Sequence, residues 1–126
     1  MRKLGHNDSV TYFGSIGSDE KGAVLEKDLS DNGLTGVFHK DTETPTGTCA
    51  VIVKDKERSL VANLAAACKY DIAHLRNNMD HLKNAKIIYS TSFFITSSPE
   101  SLQEVGKYAS DNNIPFVFNL SAVFLL

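Results

Sequence analysis

Five groups of residues in this chain have types and spacings that could do chemistry. Gly14, Gly17 and Gly22 lie between a run of strand formers and a helix start. Bare backbone amides at a helix N-terminus hold anions, so glycines there point toward phosphate. Their spacing matches neither G-x-G-x-x-G nor G-x-x-x-x-G-K-[ST], and the signal is weak. His74 and His81, seven apart, could share a helix face, but no carboxylate or thiol at ligand spacing joins them and a metal centre is not expected. Cys49 and Cys68 lack C-x-x-C spacing and read as free thiols. Leu60, Ala62 and Leu64 put a small residue between two leucines, a shallow apolar floor wide enough for something flat; Arg58 at its edge could equally pair with Glu57 or Asp55. Phe93-Phe94 and Asn119 with Ser121 follow strands, and ligands of open α/β sheets bind beyond the carboxyl ends of strands. Two adjacent phenylalanines there are, on composition alone, more often core.

These residues need elements to position them. Thr48, Ala50 and Ile52 alternate with Cys49, Val51 and Val53, the period-2 signature of a strand. Four charges, Lys54 to Glu57, suit an exposed tip, and a return strand then carries Leu60, Ala62 and Leu64 on one face. The sequence therefore predicts a hairpin over residues 46–64. Upstream, Val10–Phe13 reads as a short strand, Ser18 or Asp19 as the N-cap of a helix on which Leu25 and Leu29 supply an i, i+4 apolar stripe, and Asn32-Gly33 as its end. Residues 35–39 begin an extended segment, with His39 a solvated strand-end residue. Downstream, Ile72, Leu75, Met79 and Leu82 predict one amphipathic helix. Residues 86–92 form a strand apolar on both faces, as in a buried parallel sheet. Ser98-Pro99-Glu100 is a clear helix start, with Leu102, Val105 and Ala109 on the inner face, and Pro115 opens a last apolar strand. Strand, helix, strand at these lengths is a βαβ unit with parallel pairing.

Composition bounds the function. With 126 residues and 42% apolar content, the chain is one globular unit of ordinary domain size. A net charge of −2 leaves no basic surface for nucleic acid. No apolar run approaches the roughly 20 residues of a membrane span. No apolar stretch follows Met1-Arg2-Lys3, so a secretory signal is not expected and the cytoplasm is.

Pro45-Thr46-Gly47-Thr48-Cys49-Ala50, the run Arg58–Ala67, Phe93-Phe94, Ser98-Pro99-Glu100-Ser101 and Asn119-Leu120-Ser121-Ala122 together resemble, in order and spacing, the adenosine kinase family of the ribokinase superfamily. The resemblance covers essentially the whole chain but only the middle portion of such an enzyme. It implies a ribokinase-like α/β fold: a partial parallel sheet with flanking helices and a projecting β-hairpin lid. Residues 1–126 would be a single partial domain, with the lid at about 35–67. Matched residue by residue, Phe93 would stack on the adenine ring and Leu60, Ala62 and Leu64 would close over the nucleoside. Cys49 would face them from the neighbouring strand. Arg58 would turn toward the phosphates, and Asn119 would lie on the phosphate side. The glycines at 14–22 would be mainly structural.

The family reaction is ATP-dependent, Mg²⁺-assisted phosphorylation of the adenosine 5′-hydroxyl, a step of purine salvage. Its base is an aspartate in a Gly-Ala-Gly-Asp motif, and a Gly-Gly-Ser segment holds the ribose. Neither sequence occurs here, so the resemblance assigns no catalytic residue to this chain and predicts that it is inactive alone. It also implies adenosine and ATP as small-molecule partners, a monomer in the family and a cytoplasmic or nuclear location; self-association is expected only of a truncated chain. Two departures stand out: Thr91-Ser92 where the family tends to Ala-Gly, and Val123 where it has proline. Two alternatives are another ribokinase-superfamily kinase acting on a sugar, against which Phe93 and Leu60, Ala62 and Leu64 argue, and a non-catalytic nucleoside-binding or interaction module whose free lid strands pair with a partner.

Overall fold

A computed structural model of the chain describes residues 10–121. Residues 10–69 belong to one compact unit and residues 70–121 to another.

In the first unit, β1 (Thr11–Gly17) leads through Ser18 and Asp19 into α1 (Glu20–Asp31), and β2 (Thr35–Asp41) returns parallel to β1. The register runs from Thr11↔Thr35 to Gly17↔Asp41. Asp19 is the N-cap, its side chain accepting from the Gly22 amide, and Asn32 is the C-cap. Gly33 follows at φ 64, the left-handed position that glycine fills without strain. Ile16 and Val37 are buried on this sheet, each stabilising the fold by roughly 1.5–3 kcal/mol.

Two expectations are corrected here. Gly14 and Gly17 are not a loop, because β1 continues through Gly17. Pairing with β2 overrides the weak strand preference of glycine. His39 is not a solvated strand end: it lies inside β2, half-buried, hydrogen-bonded to Ser15 at 3.2 Å across the Ser15↔His39 register.

The hairpin forms as its alternation predicts. β3 (Thr48–Lys54) pairs antiparallel with β4 (Glu57–Asn63), from Thr48↔Asn63 to Lys54↔Glu57. The two-residue turn has Asp55 and Lys56 at φ 49 and 69, the positive values of a type I′ connection, although neither is glycine. The strand ends at Asn63. Leu64 has helical angles and opens a 3₁₀ turn, Ala65–Cys68, so it does not continue the Leu60–Ala62 alternation.

In the second unit, the helix predicted over 72–82 is broken. α2 (Ile72–Asn77) stops at Asn78, and a separate 3₁₀ turn covers Met79–Leu82. Asn78 ends the helix because its side-chain amide donates to the His74 carbonyl at 2.8 Å while its backbone N–H donates to Leu75 O. Leu75 and Leu82 are nonetheless both buried. β5 (Ile88–Thr91), a short α3 (Phe94–Ser97), α4 (Pro99–Asp111) and β6 (Phe116–Asn119) follow among the described residues, with β5 and β6 parallel as the βαβ reading requires. Pro99 occupies the first turn of α4, but the Ser98 hydroxyl bonds Ser101 Oγ and Glu100 rather than a backbone amide. β5 is not buried on both faces: Ile88 is 8% exposed, whereas Ile87 and Tyr89 are about 60% exposed (62% and 59%), because their face has no covering element among the described residues. Arg76 and Glu104 tie α2 to α4 through a two-pronged ion pair, Nε and Nη2 donating at 2.8–3.1 Å.

Candidate functional site

An open groove of about 400 Å³ lies in the first unit, lined among others by Tyr12, Phe38, Thr46, Cys49, Ala62 and Leu64. Three residues picked from the sequence therefore meet in one place. Cys49 and Ala62 are direct cross-strand partners, so their side chains emerge on the same face of the hairpin. Leu64 joins them from the turn that follows. Leu60, paired with Val51, is on that same face one pleat further out, and Arg58, paired with Val53, one pleat beyond that. Neither lines the groove, and both are exposed.

The aromatic wall of the groove was missed by sequence reasoning. Tyr12 and Phe38 have ring centroids 5.7 Å apart. The register pairs Tyr12 with Gly36 and Gly14 with Phe38, so each ring has a glycine both opposite it and two residues along. A Cβ at Gly14 would come within 2.9 Å of the Tyr12 ring, and one at Gly36 within 2.8 Å of the Phe38 ring. The rings lie over bare backbone. The signal was present as Tyr-x-Gly and Gly-x-Phe at period two, but only the cross-strand register shows that they interlock.

At the root of the hairpin, Thr46 is buried and bonded on every side. Its hydroxyl accepts from the Gly17 amide at 3.0 Å and donates to Asp19 Oδ1 at 2.5 Å, while its own N–H donates to Asp19 Oδ2 at 2.9 Å. The Gly22 amide also donates to Asp19 Oδ1, at 2.9 Å. These donors, led by the Thr46 hydroxyl, lower the Asp19 carboxyl to about 2 from its ordinary 3.8.

Phe93 and Asn119 belong to the second unit, where they follow or end strands β5 and β6. Thr91 is in register with Asn119, and the Ser92 amide donates to the Asn119 carbonyl at 2.8 Å, so both residues sit at the carboxyl end of the parallel pair. Phe93 is half-exposed, its carbonyl accepting from Thr96 Oγ1. Phe94 is half-buried, packed edge-on against Tyr70 at 5.1 Å. The Asn119 side chain accepts from the Ser121 amide at 2.7 Å. Tyr70 is buried, which pushes its phenol up to about 12.

Helix-crossed parallel strand pairs with a hairpin projecting from the first of them are the elements of a ribokinase-like fold, and solved kinases resemble this chain. The adenosine kinase of Anopheles gambiae, in complex with P1,P4-di(adenosine-5) tetraphosphate, superimposes with a TM-score of 0.90 at 40% identity, over 97% of this chain and 36% of that one. The adenosine kinase of Schistosoma mansoni in complex with 2-fluoroadenosine gives 0.92 at 33% identity, over 97% and 36%. In sequence, adenosine kinase 1 of Arabidopsis thaliana is 44% identical over 119 residues, 93% of this chain and 35% of that protein. The family model described as pfkB family carbohydrate kinase matches residues 1–126, and the chain belongs to that family. It spans about a third of the length of the relatives it matches.

Proposed function

We propose that this chain supplies the nucleoside-recognising portion of an adenosine kinase, an enzyme that transfers the γ-phosphoryl group of ATP to the 5′-hydroxyl of adenosine. The observation that carries the reading is the pairing of Cys49 with Ala62 on the groove-facing side of the hairpin, with Leu64 beside them. Small and apolar, they make a wall that a flat purine can lie against without leaving polar atoms unpaired. Phe93, in the second unit, is assigned a stacking role on the adenine ring, a contact that contributes about 0.5–1.5 kcal/mol beyond area burial. Leu60 and Arg58, further out along the hairpin face, are assigned to the rim of the site. Arg58 there would meet negative charge developing on the transferred phosphoryl group. Asn119 is assigned to the phosphate side.

Residues 1–126 are read as part of one ribokinase-like domain, with residues of about 35–67 as its lid segment, in a cytoplasmic monomer that takes small molecules. When bound, Mg²⁺ would neutralise phosphate charge. Among the described residues no three His, Cys, Asp or Glu side chains come together as a ligand set. No helix among them is long and apolar enough to cross a membrane.

The test is a chimera in which residues 10–121 replace the matching third of the Arabidopsis adenosine kinase 1. Its ATP-dependent product formation is assayed with adenosine, ribose and fructose. Phosphorylation of adenosine in preference to both sugars is expected. A preference for ribose or fructose would replace the reading with that of a sugar kinase, and loss of all activity in a folded chimera would end it.

A further inference from the structure

The hairpin joins its unit at its root, where residues 45–47 lead out and residues 64–66 return. Every residue of β3 and β4 is exposed, and among the described residues these strands pair only with each other. Its orientation must therefore be set where the outgoing residues 45–47 pass the returning residues 64–66. There the Ala66 amide donates to the Pro45 carbonyl at 3.0 Å. Gly47 approaches the Leu64 carbonyl so closely that a Cβ would stand 2.5 Å from its oxygen. Gly17 is as tightly placed, its missing Cβ facing Thr44 O and Thr46 N at 2.6 Å. Between them sits Thr46, bonded to the end of β1 and to the carboxylate that caps α1.

We propose that the Asp19–Thr46 pair is a positioning device that sets the angle of the hairpin over its groove, and through it how closely Cys49, Ala62 and Leu64 approach a bound nucleoside. The inference rests on the reading of that groove as the nucleoside wall. The chemistry explains the residue types. The threonine hydroxyl must accept from Gly17 and donate to Asp19 at once, which serine can do and valine, of the same shape, cannot. The carboxylate must accept from Thr46 twice and from Gly22 once, which an asparagine side chain can satisfy only in part. With these bonds intact, the root of the hairpin is fixed to both β1 and α1. Without them it is held only by the Pro45–Ala66 crossing and by packing.

Two measurements test this. In the 126-residue chain, spin labels at Lys56→Cys on the hairpin tip and Lys27→Cys on α1, in a Cys49→Ser, Cys68→Ser background, report the tip-to-helix distance without nucleoside. One narrow distribution is expected for the parent and for Thr46→Ser, and a broadened or displaced one for Thr46→Val and Asp19→Asn. In the chimera, Thr46→Val and Asp19→Asn are expected to raise KM for adenosine about tenfold while KM for ATP stays within about twofold, with Thr46→Ser restoring the parent value. Unchanged distances in Thr46→Val and Asp19→Asn, or failure of serine to restore them, would overturn the positioning role whatever the nucleoside data show. Altered distances with unchanged adenosine KM would overturn its link to binding. A parent chimera that does not use adenosine would instead overturn the functional reading beneath it. If Thr46→Val does not fold, Asp19→Asn, which keeps an acceptor for the Gly22 amide, decides both measurements.

Discussion

Phe93 and Phe94 are neighbours in sequence with different surroundings, and substitution should separate them. Phe93 is half-exposed at the carboxyl end of β5, whereas Phe94 packs on Tyr70. In the active chimera, Phe93→Ala is expected to weaken adenosine binding by roughly 1–3 kcal/mol, about 5- to 150-fold in Kd. Phe94→Ala should lower the melting temperature and leave adenosine affinity near the parent value. Unfolding of Phe93→Ala with unchanged adenosine affinity in the surviving fraction would assign Phe93 to the core. Asp19 gives a pH signature. Its folded carboxyl titrates near 2, below the ordinary 3.8, so the unfolded chain takes up the proton first on acidification. The stability it contributes is complete above about pH 4 and is lost as pH falls toward 2. Urea midpoints measured from pH 6 to pH 2 should fall less steeply for Asp19→Asn than for the parent. Parallel slopes would show that the Thr46 and Gly22 bonds do not favour the charged form.

At the scale of the element, hairpin and helix each carry a testable local cost. Lys56 stands at φ 69 in a two-residue turn where glycine is the favoured residue. Lys56→Gly should stabilise the hairpin by about 0.5–1 kcal/mol, read as slower amide exchange in β3 and β4, because the relief of left-handed strain exceeds the added freedom of the unfolded chain. Gly106 lies mid-way along α4, and a Cβ there would meet nothing within 4 Å. Gly106→Ala should therefore gain about 0.5–1 kcal/mol of helix preference, a few degrees of melting temperature. The elements also show what sequence can and cannot reveal. The hairpin was legible because alternation and a run of charges are local signals, and the α4 start because Ser98-Pro99 is a local one. The extension of β1 through Gly17 was not legible, since it depends on β2 being its neighbour. Nor was the break at Asn78, where an apolar stripe continues across a helix that does not. Of the groove, Ala62 and Leu64 were legible as part of an apolar floor, while the place of Cys49 was reached through a family resemblance. The Tyr12–Phe38 side and the Asp19–Thr46 joint depend on partners 26 and 27 positions apart, which no periodicity connects.

At the scale of the whole molecule, the proposed function divides between this chain and the remainder of a longer enzyme. The 126 residues contain no Gly-Ala-Gly-Asp stretch, so the chain alone is expected to form AMP from adenosine and ATP no faster than buffer. A missing positioned base costs about 10²–10⁴-fold by itself. ATP-dependent AMP formation that tracks the purified chain through chromatography would refute this. In the chimera, Arg58→Ala should lower kcat by about 10- to 100-fold while changing KM for adenosine little, since charge at the rim acts as the phosphoryl group moves. The sheet register has a consequence for how such a protein is made. Thr11 pairs with Thr35, 24 positions on, and Ile88 with Phe116, 28 positions on, while the hairpin pairs residues that are closer still. No strand pairing among the described residues waits for a distant part of the chain, so loop closure costs little and each pair can form as soon as its second strand is available. On a ribosome adding about 5–20 residues per second, β1, α1 and β2 can close before the hairpin has been synthesised, and the hairpin before β5 exists. Assembly can thus proceed in the order of translation, each strand pairing closing before the next emerges.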